Sequence, residues 1–212
     1  MINNVCEDII RIFNCNKLIE TGVYQGDSFI LLQSWMIKLH QEFNQGPWNQ
    51  GIKSEKYRIY EVECNKQYFD SYIIPKVQEQ INVECSNSDS VIWLKTNIDN
   101  GEFDDNDSCF YFLDSHQHNS PNPEPLRDEL KQLCRLKNKP IISIDDWAVP
   151  GKYQDIYNTN QIKDLIKNRT DVIYYSKYHN FHGKNSCFVF LDRYLDELKP
   201  KLVNLDLLYE KI

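Results

Sequence analysis

The stretch Leu18-Ile-Glu-Thr-Gly-Val-Tyr-Gln-Gly-Asp-Ser28 constrains the fold more than any other part of the chain. A short β-like run ends at a turn that contains Gly22 and Gly26, and helical spacing of apolar residues resumes from Ser28. Glycine allows a tight turn and a close approach to a ligand, and the following helix offers its N-terminal amides. Many strand-to-helix connections use glycine only to turn, so the stretch predicts a strand, a turn and a helix but does not by itself establish a ligand site.

The alternation of strand and helix patterns continues through the rest of the chain. After the run at 17–20, strands are predicted at 57–63, 90–94, 109–113, 140–144, 172–175 and 187–191. The last two runs lie too close together for a crossover helix and should pair antiparallel. The helix predicted at 66–80, between the runs at 57–63 and 90–94, should kink or split at Pro75. The pattern predicts one domain over residues 1–212: an α/β fold with a doubly wound, mainly parallel, seven-stranded Rossmann-like sheet and a C-terminal antiparallel strand pair.

Composition excludes several classes of protein. The 212-residue chain has a formal net charge of −7 and no long basic cluster, so nucleic acid is not an expected partner. No apolar run is long enough to cross a membrane, and the N-terminus lacks the features of a secretory signal, which predicts a cytoplasmic protein. Seven scattered cysteines, an odd number, indicate reduced thiols.

Acidic residues stand at the predicted strand ends, where α/β sheets of this kind bind their ligands. Glu63 ends the second strand and is suited to accept hydrogen bonds from the two ribose hydroxyls of a nucleoside cofactor. Glu61 is an alternative for this role, because the strand could end two residues earlier. A solvated strand-end carboxylate is the simpler interpretation of either residue.

Three aspartates follow two later strands. Asp114 ends the run at 109–113, and Asp145 and Asp146 end the run at 140–144. Carboxylates brought together at one sheet edge repel one another unless a cation is present, and hard oxygen ligands suit Mg²⁺. The alternative is that Asp145 or Asp146 only caps the loop before Pro150.

The order of these motifs over residues 17–151 resembles the class I S-adenosylmethionine-dependent methyltransferases, in particular the small metal-dependent O-methyltransferases of the catechol and macrocin type. Five stretches carry the resemblance: Glu20 to Ser28, Tyr60 to Asn65, Phe112 to Asp114, Pro125 to Leu130, and Ile144 to Gly151. The resemblance implies S-adenosylmethionine as cofactor, bound by Glu20, Thr21, Gly22, Gly26, Ser28, Glu63 and Asn97. It also implies Mg²⁺ or another divalent cation, held by Asp114, Asp145 and Asp146.

The sequence departs from the family at two places. Asn97-Ile98 replaces a small-acidic-serine stretch that contacts the adenine in the family. The lysine that follows the first metal aspartate in the catechol enzymes is absent, and Ser115-His-Gln-His-Asn119 stands there instead. His116 is therefore the preferred proton acceptor beside Asp114, although a histidine there would also serve as a metal ligand or a loop hydrogen bonder.

These expectations define the predicted function: methyl transfer from S-adenosylmethionine, assisted by a divalent cation, to a hydroxyl of a small sugar-like or natural-product-like molecule. His118, Tyr178, His179 and His182 are candidates for lining the acceptor pocket, and an exposed hairpin loop is the alternative for the last three. Two other functions stay open, a metal-dependent hydroxylase-like enzyme on the same fold and a non-catalytic nucleoside-binding relative. The apolar tail from Leu202 to Tyr209 should pack on the body or on a second subunit, which allows a homodimer.

Overall fold

The computed structural model of the chain describes residues 4–45, 57–77, 82–103, 108–115, 125–147, 159–177 and 185–212, with backbone alone at 40–45, 146–147, 159 and 185. Eight strands lie in the described residues: β1 (Lys17–Thr21), β2 (Arg58–Glu63), β3 (Val83–Asn87), β4 (Cys109–Leu113), β5 (Ile141–Trp147), β6 (Val172–Ser176), β7 (Asn185–Phe190) and β8 (Leu207–Lys211). They form one sheet in the order β3-β2-β1-β4-β5-β7-β6-β8.

The first five strands of this sheet run parallel, and β7 enters antiparallel between β5 and β6. Strand order reverses between β1 and β4, which is the switch point of a doubly wound sheet. The predicted α/β class, the mainly parallel sheet and the antiparallel C-terminal pair are confirmed. The strand count is eight and not seven, because the tail adds β8 antiparallel to β6.

The helices cover both faces of the sheet. Their bounds are α1 (Asn4–Ile12), α2 (Asp27–Gln45), α3 (Lys66–Tyr68), α4 (Ile74–Val77), α5 (Ser90–Asp99), α6 (Pro125–Leu133), α7 (Thr159–Ile166) and α8 (Leu195–Leu202). The core of one face contains buried residues of α1, α2 and α8, and that of the other face contains buried residues of α5, α6 and α7. None of the helices in the described part of the chain has both the length and the apolar character that a membrane crossing requires.

The prediction of a strand at 90–94 is wrong, because these residues form the first part of helix α5. Asp89 caps the helix, and its carboxylate accepts the backbone N–H groups of Val91 (3.0 Å) and Ile92 (3.1 Å). The third strand is instead β3, which lies at the edge of the sheet and has the half-exposed sequence Val-Glu-Cys-Ser-Asn. An edge strand with so few apolar residues gives little periodic signal.

The predicted irregularity near Pro75 is confirmed. Between α3 and α4 the chain forms a π turn at Phe69–Ile73, in which Ile74 donates its backbone N–H to the carbonyl of Phe69. Proline has no N–H to donate within a helix, and π turns are a common way to accommodate such an interruption. This turn sets the direction of the residues that follow it.

Candidate functional site

The candidate site lies at the carboxyl ends of β2, β1 and β4, where the glycine turn leaves β1. Gly22 donates its backbone N–H to the carbonyl of Val62 on β2 (2.9 Å), and Asp114 donates its backbone N–H to the carbonyl of Thr21 (3.0 Å). The turn is therefore continuous with the hydrogen bonding of the sheet on both sides. Thr21 itself is fully buried at the end of β1.

Gly22 occupies a position that only glycine can fill. Its φ of +78° is in the left-handed region, and a Cβ atom there would lie 2.6 Å from the Cα of Ser115. Gly26, with φ +73°, closes the turn by donating its N–H to the carbonyl of Val23 (2.8 Å). The close approach of β1 and the segment after β4 thus depends on the sequence at residue 22.

Glu63 reaches the glycine turn from the end of β2, as expected for the predicted ribose-binding residue. Its carboxylate accepts the backbone N–H of Tyr24 (2.9 Å) and that of Asn65 (2.7 Å). A carboxylate has about four acceptor positions, so two hydrogen bonds leave room for two more. The arrangement is suited to hold a diol beside the turn.

Tyr24 is a residue of this site that the sequence did not single out. Its φ of +51° is unusual for a residue with a side chain, its ring is 43% exposed, and it packs edge-on against the ring of Tyr68 with centroids 4.7 Å apart. Its position between Gly22 and Gly26 is the feature of the sequence from which a role in the turn could have been predicted. Its backbone N–H is one of the two that Glu63 accepts.

Glu20 and Ser28 connect the two ends of the turn. The Ser28 hydroxyl, in the first turn of α2, donates a hydrogen bond to the Glu20 carboxyl on β1. Glu20 is almost completely buried, and burial raises its pKa to about 7. Both residues were predicted to belong to the cofactor site, and the structure brings their side chains together at the start of α2.

Glu61, the alternative to Glu63, occupies a different environment. It is fully buried on β2 directly beside Glu20 on β1, its partner in the parallel register. Burial raises the pKa of Glu61 well above its usual value, and the neighbouring Glu20 carboxyl raises it further. Glu61 therefore belongs to a buried carboxyl pair, and Glu63 is the acidic residue that reaches the turn.

Asp114 follows β4 and Asp145 lies at the same level of the sheet, because Leu113 of β4 pairs with Ile144 of β5. The predicted strand end at 144 is too early: β5 continues to Trp147, so Asp145 and Asp146 belong to the strand. Asp145 is buried, and the segment after Asp114 is held by Ser115, whose hydroxyl donates to the buried Glu129 carboxylate (2.7 Å). Of Asp146, the third predicted ligand, the structure describes only the backbone. Among the described side chains, no group of three or more histidine, cysteine, aspartate or glutamate residues is arranged to hold a metal.

The placement of Asn97 corrects one expectation. Asn97 lies on α5, two turns into the helix, and its side-chain amide donates to the carbonyl of Trp93 (2.9 Å). The resemblance puts the adenine wall at Asn97-Ile98, whereas both residues lie near the end of helix α5. The segment that leaves the end of the true third strand is Ser88-Asp89, and Ser88 donates its N–H to the carbonyl of Glu63 (3.2 Å).

Five predicted site residues lie outside the described residues: His116, His118, Tyr178, His179 and His182. Their roles as proton acceptor and acceptor-pocket residues stay predictions. The described residues stop at Ser115 before the first two of them and at Lys177 before the other three.

The fold of the chain is similar to that of several solved methyltransferases. TomG from Streptomyces achromogenes, an O-methyltransferase involved in tomaymycin synthesis and solved with S-adenosylmethionine, is 14% identical, with a TM-score of 0.55 over 89% of this chain and 78% of that one. An O-methyltransferase from Bacillus cereus is 16% identical, with a TM-score of 0.56 over 87% and 77%. An rRNA methylase from Streptococcus thermophilus is 11% identical, with a TM-score of 0.53 over 91% and 99%.

These likenesses establish the fold, and the resemblance to class I methyltransferases is confirmed at that level. No model of a protein family matches the sequence, and no curated protein matches it either. Because proteins named for different acceptors share this fold, the activity has to be argued from the site.

Proposed function

We propose that this protein transfers a methyl group from S-adenosylmethionine to a hydroxyl of a small molecule. One observation carries the proposal: the glycine turn, the Glu63 carboxylate and Asp114 meet at the carboxyl edge of the sheet, at the switch point between β1 and β4. Ligands of doubly wound sheets bind at that point. The similar folds of O-methyltransferases solved with this cofactor or its product support the choice of ligand.

Each residue of the turn has a distinct role in holding the cofactor. Gly22 keeps the backbone free of a side chain where the chain approaches Asp114 most closely. Glu63 accepts the ribose hydroxyls with the acceptor positions that Tyr24 and Asn65 leave open. Glu20 and Ser28 orient the start of α2, whose N-terminal amides face the turn. When bound, the cofactor supplies a sulfonium methyl group to an acceptor held in line with it.

We further propose that Asp114, Asp145 and Asp146 hold a divalent cation. The two described carboxylates directly follow the paired residues Leu113 and Ile144 of adjacent strands and are hard oxygen ligands, which fits a cation such as Mg²⁺. When bound, the cation lowers the pKa of the acceptor hydroxyl. The hydrogen bond from Ser115 to Glu129 fixes the chain directly after Asp114 and so limits the movement of that ligand.

The proton of the acceptor hydroxyl passes to His116 in this proposal. Histidine side chains ordinarily have a pKa of about 6.5 and so accept protons near neutrality. His118, Tyr178, His179 and His182, which lie outside the described residues, remain the candidates for the acceptor pocket. A net charge of −7 disfavours a nucleic-acid acceptor, which supports a small hydroxylated molecule.

Titration calorimetry with S-adenosylhomocysteine, the demethylated cofactor, tests the proposal without knowledge of the acceptor. We expect binding by the wild-type protein and a loss of at least about tenfold in affinity for Glu63→Ala, because a group that binds the ribose diol is removed. Glu84→Ala is the matched control, since Glu84 is an exposed carboxylate on the adjacent strand β3. Absence of binding by the wild-type protein would refute the cofactor assignment.

The cation is tested by repeating the titrations with the acceptor analogue catechol, with and without Mg²⁺. Asp114→Asn and Asp145→Asn should remove any Mg²⁺-dependent increase in binding while leaving the affinity for S-adenosylhomocysteine within about threefold of wild type. Direct titration with Mg²⁺ alone provides a second measurement. If neither experiment detects Mg²⁺, the cation is not part of the site.

A further inference from the structure

The glycine turn adopts a conformation that needs support from outside the turn. Gly22, Tyr24 and Gly26 all have positive φ, and one of these three residues carries a large side chain. Glu63 holds the turn at Tyr24 from β2. The distal part of the turn, from Gln25 to Asp27, requires a separate contact.

Lys76 of α4 supplies that contact from a distance of 51 residues along the chain. Its ammonium donates a hydrogen bond to the backbone carbonyl of Gln25 and lies 3.6 Å from the Asp27 carboxylate. Its side chain also crosses Gly26, where a Cβ atom would meet the Cδ and Nζ of Lys76 at 3.4 Å. Three consecutive residues of the turn therefore touch one lysine.

The π turn before α4 explains how Lys76 reaches this position. A π turn contains one residue more than an α-helical turn and rotates the following residues by about 100°. The rotation leaves Ile73 buried in the core while Lys76, three residues later, faces the glycine turn. The lysine side chain is less than one-third exposed.

We infer that Lys76 is a positioning residue, which holds the glycine turn in the conformation that binds the cofactor. The inference rests on the proposed function, because it assigns the turn to the cofactor. Lys76 acts through the Gln25 carbonyl and Asp27. A turn that is held in its binding conformation before the ligand arrives binds more tightly, because less ordering accompanies binding.

Lys76→Met tests the inference, because methionine keeps much of the aliphatic stem across Gly26 and removes the ammonium. We expect the affinity for S-adenosylhomocysteine to fall about tenfold, with Lys76→Arg within about threefold of wild type. Hydrogen–deuterium exchange of the ligand-free protein should be faster at 22–28 in Lys76→Met and unchanged in β4 and β7. Lys66→Met is the matched control, since the exposed Lys66 pairs with Asp70 on the same helical segment.

Distinct results separate the possible failures. Wild-type affinity in Lys76→Met would overturn the inference and leave the proposed function intact. Weaker binding with unchanged exchange at 22–28 would also overturn it, because Lys76 would then contact the ligand and not the turn. Absence of binding by the wild-type protein would remove the proposed function and this inference with it. If Lys76→Met does not fold, Lys76→Gln, which keeps a neutral donor, should show the same loss of affinity to a smaller degree.

Discussion

Acidic side chains have different surroundings in the parallel half of the sheet, β1 to β5, and in its antiparallel half, β6 to β8. In the parallel half, Glu20 and Glu61 lie beside each other in register, both buried, and burial raises the pKa of each. In the antiparallel half, Glu210 of β8 accepts hydrogen bonds from Lys163 (2.7 Å) and Tyr175 (2.6 Å). Burial alone would raise the pKa of Glu210, but these two partners outweigh it and the pKa is lowered.

The difference indicates which half of the sheet gains stability from its carboxylates and which half loses it. A carboxylate that is paired with a lysine or arginine contributes to folding or costs little. Two buried carboxyl groups side by side oppose folding when both are ionised, and such pairs are typical of functional sites. The antiparallel half therefore forms the supporting part of the fold, and the cost in stability is concentrated next to the glycine turn.

The largest expected effect is that of Gly22→Ala in the parallel half. The new Cβ would clash with the backbone at Asp114 and Ser115, so we expect the free energy of unfolding to fall by more than about 4 kcal/mol. Gly101→Ala is the control, because Gly101 also has a positive φ (+75°) but has no atom near its Cβ position. It should cost only about 1 kcal/mol. Urea unfolding of both variants measures the difference, and equal losses would show that the close approach is unimportant.

Arg169→Met tests the antiparallel half and should have the next largest effect. Arg169 donates through Nε to Asp192 (2.8 Å) and through Nη1 to the carbonyl of Cys134 (2.6 Å), and it is mostly buried. Its loss leaves Asp192 and that carbonyl without their donor, so we expect unfolding to become easier by about 3 kcal/mol. Lys167→Met, which removes an exposed pair with Asp164, should change stability by less than about 0.5 kcal/mol. A small effect of Arg169→Met would contradict the distinction between the halves.

The pH dependence of stability sharpens the comparison further. Glu20 keeps its proton in the folded state up to a pH of about 7, whereas its ordinary value is 4.5, so the folded state binds more protons between these values. The contribution of Glu20 to the free energy of unfolding is therefore fully present below about pH 4.5. It is lost as the pH rises to about 7, and the loss is on the order of 2 to 3 kcal/mol. We expect Glu61→Gln to make the loss between pH 5 and 8 smaller by about 2 kcal/mol, because the pKa of Glu61 is also raised by burial and the glutamine has no proton to lose.

Thermal or urea unfolding between pH 5 and 8 measures this loss in the wild type and in Glu61→Gln. Glu84→Gln is the control, because Glu84 is an exposed carboxylate and its removal should leave the slope unchanged. A wild-type stability that rises over this range would show that Glu20 and Glu61 are not the groups that dominate it.

Much of the site was predictable because its signals are local. The apolar run before Gly22 and the helical spacing after Ser28 define the turn, and the ends of the later apolar runs locate Glu63, Asp114 and Asp145. The third strand was not predictable in this way. Strand β3 lies at the sheet edge with few apolar residues, and the apolar run that follows it fits a strand and a helix equally well.

The sequence by itself determined the α/β class, the glycine turn and the acidic strand ends, because periodicity and chain-breaking residues act over a few positions. Only the tertiary structure decided that Glu61 lies beside Glu20, that Lys76 reaches Gln25, and that the tail adds β8 to the sheet. Each of these contacts joins residues at least 31 positions apart, the smallest separation being that between Ser176 and its partner Leu207 in β8. Strand register and helix rotation set such contacts, and neither can be read from the spacing of residues along the chain.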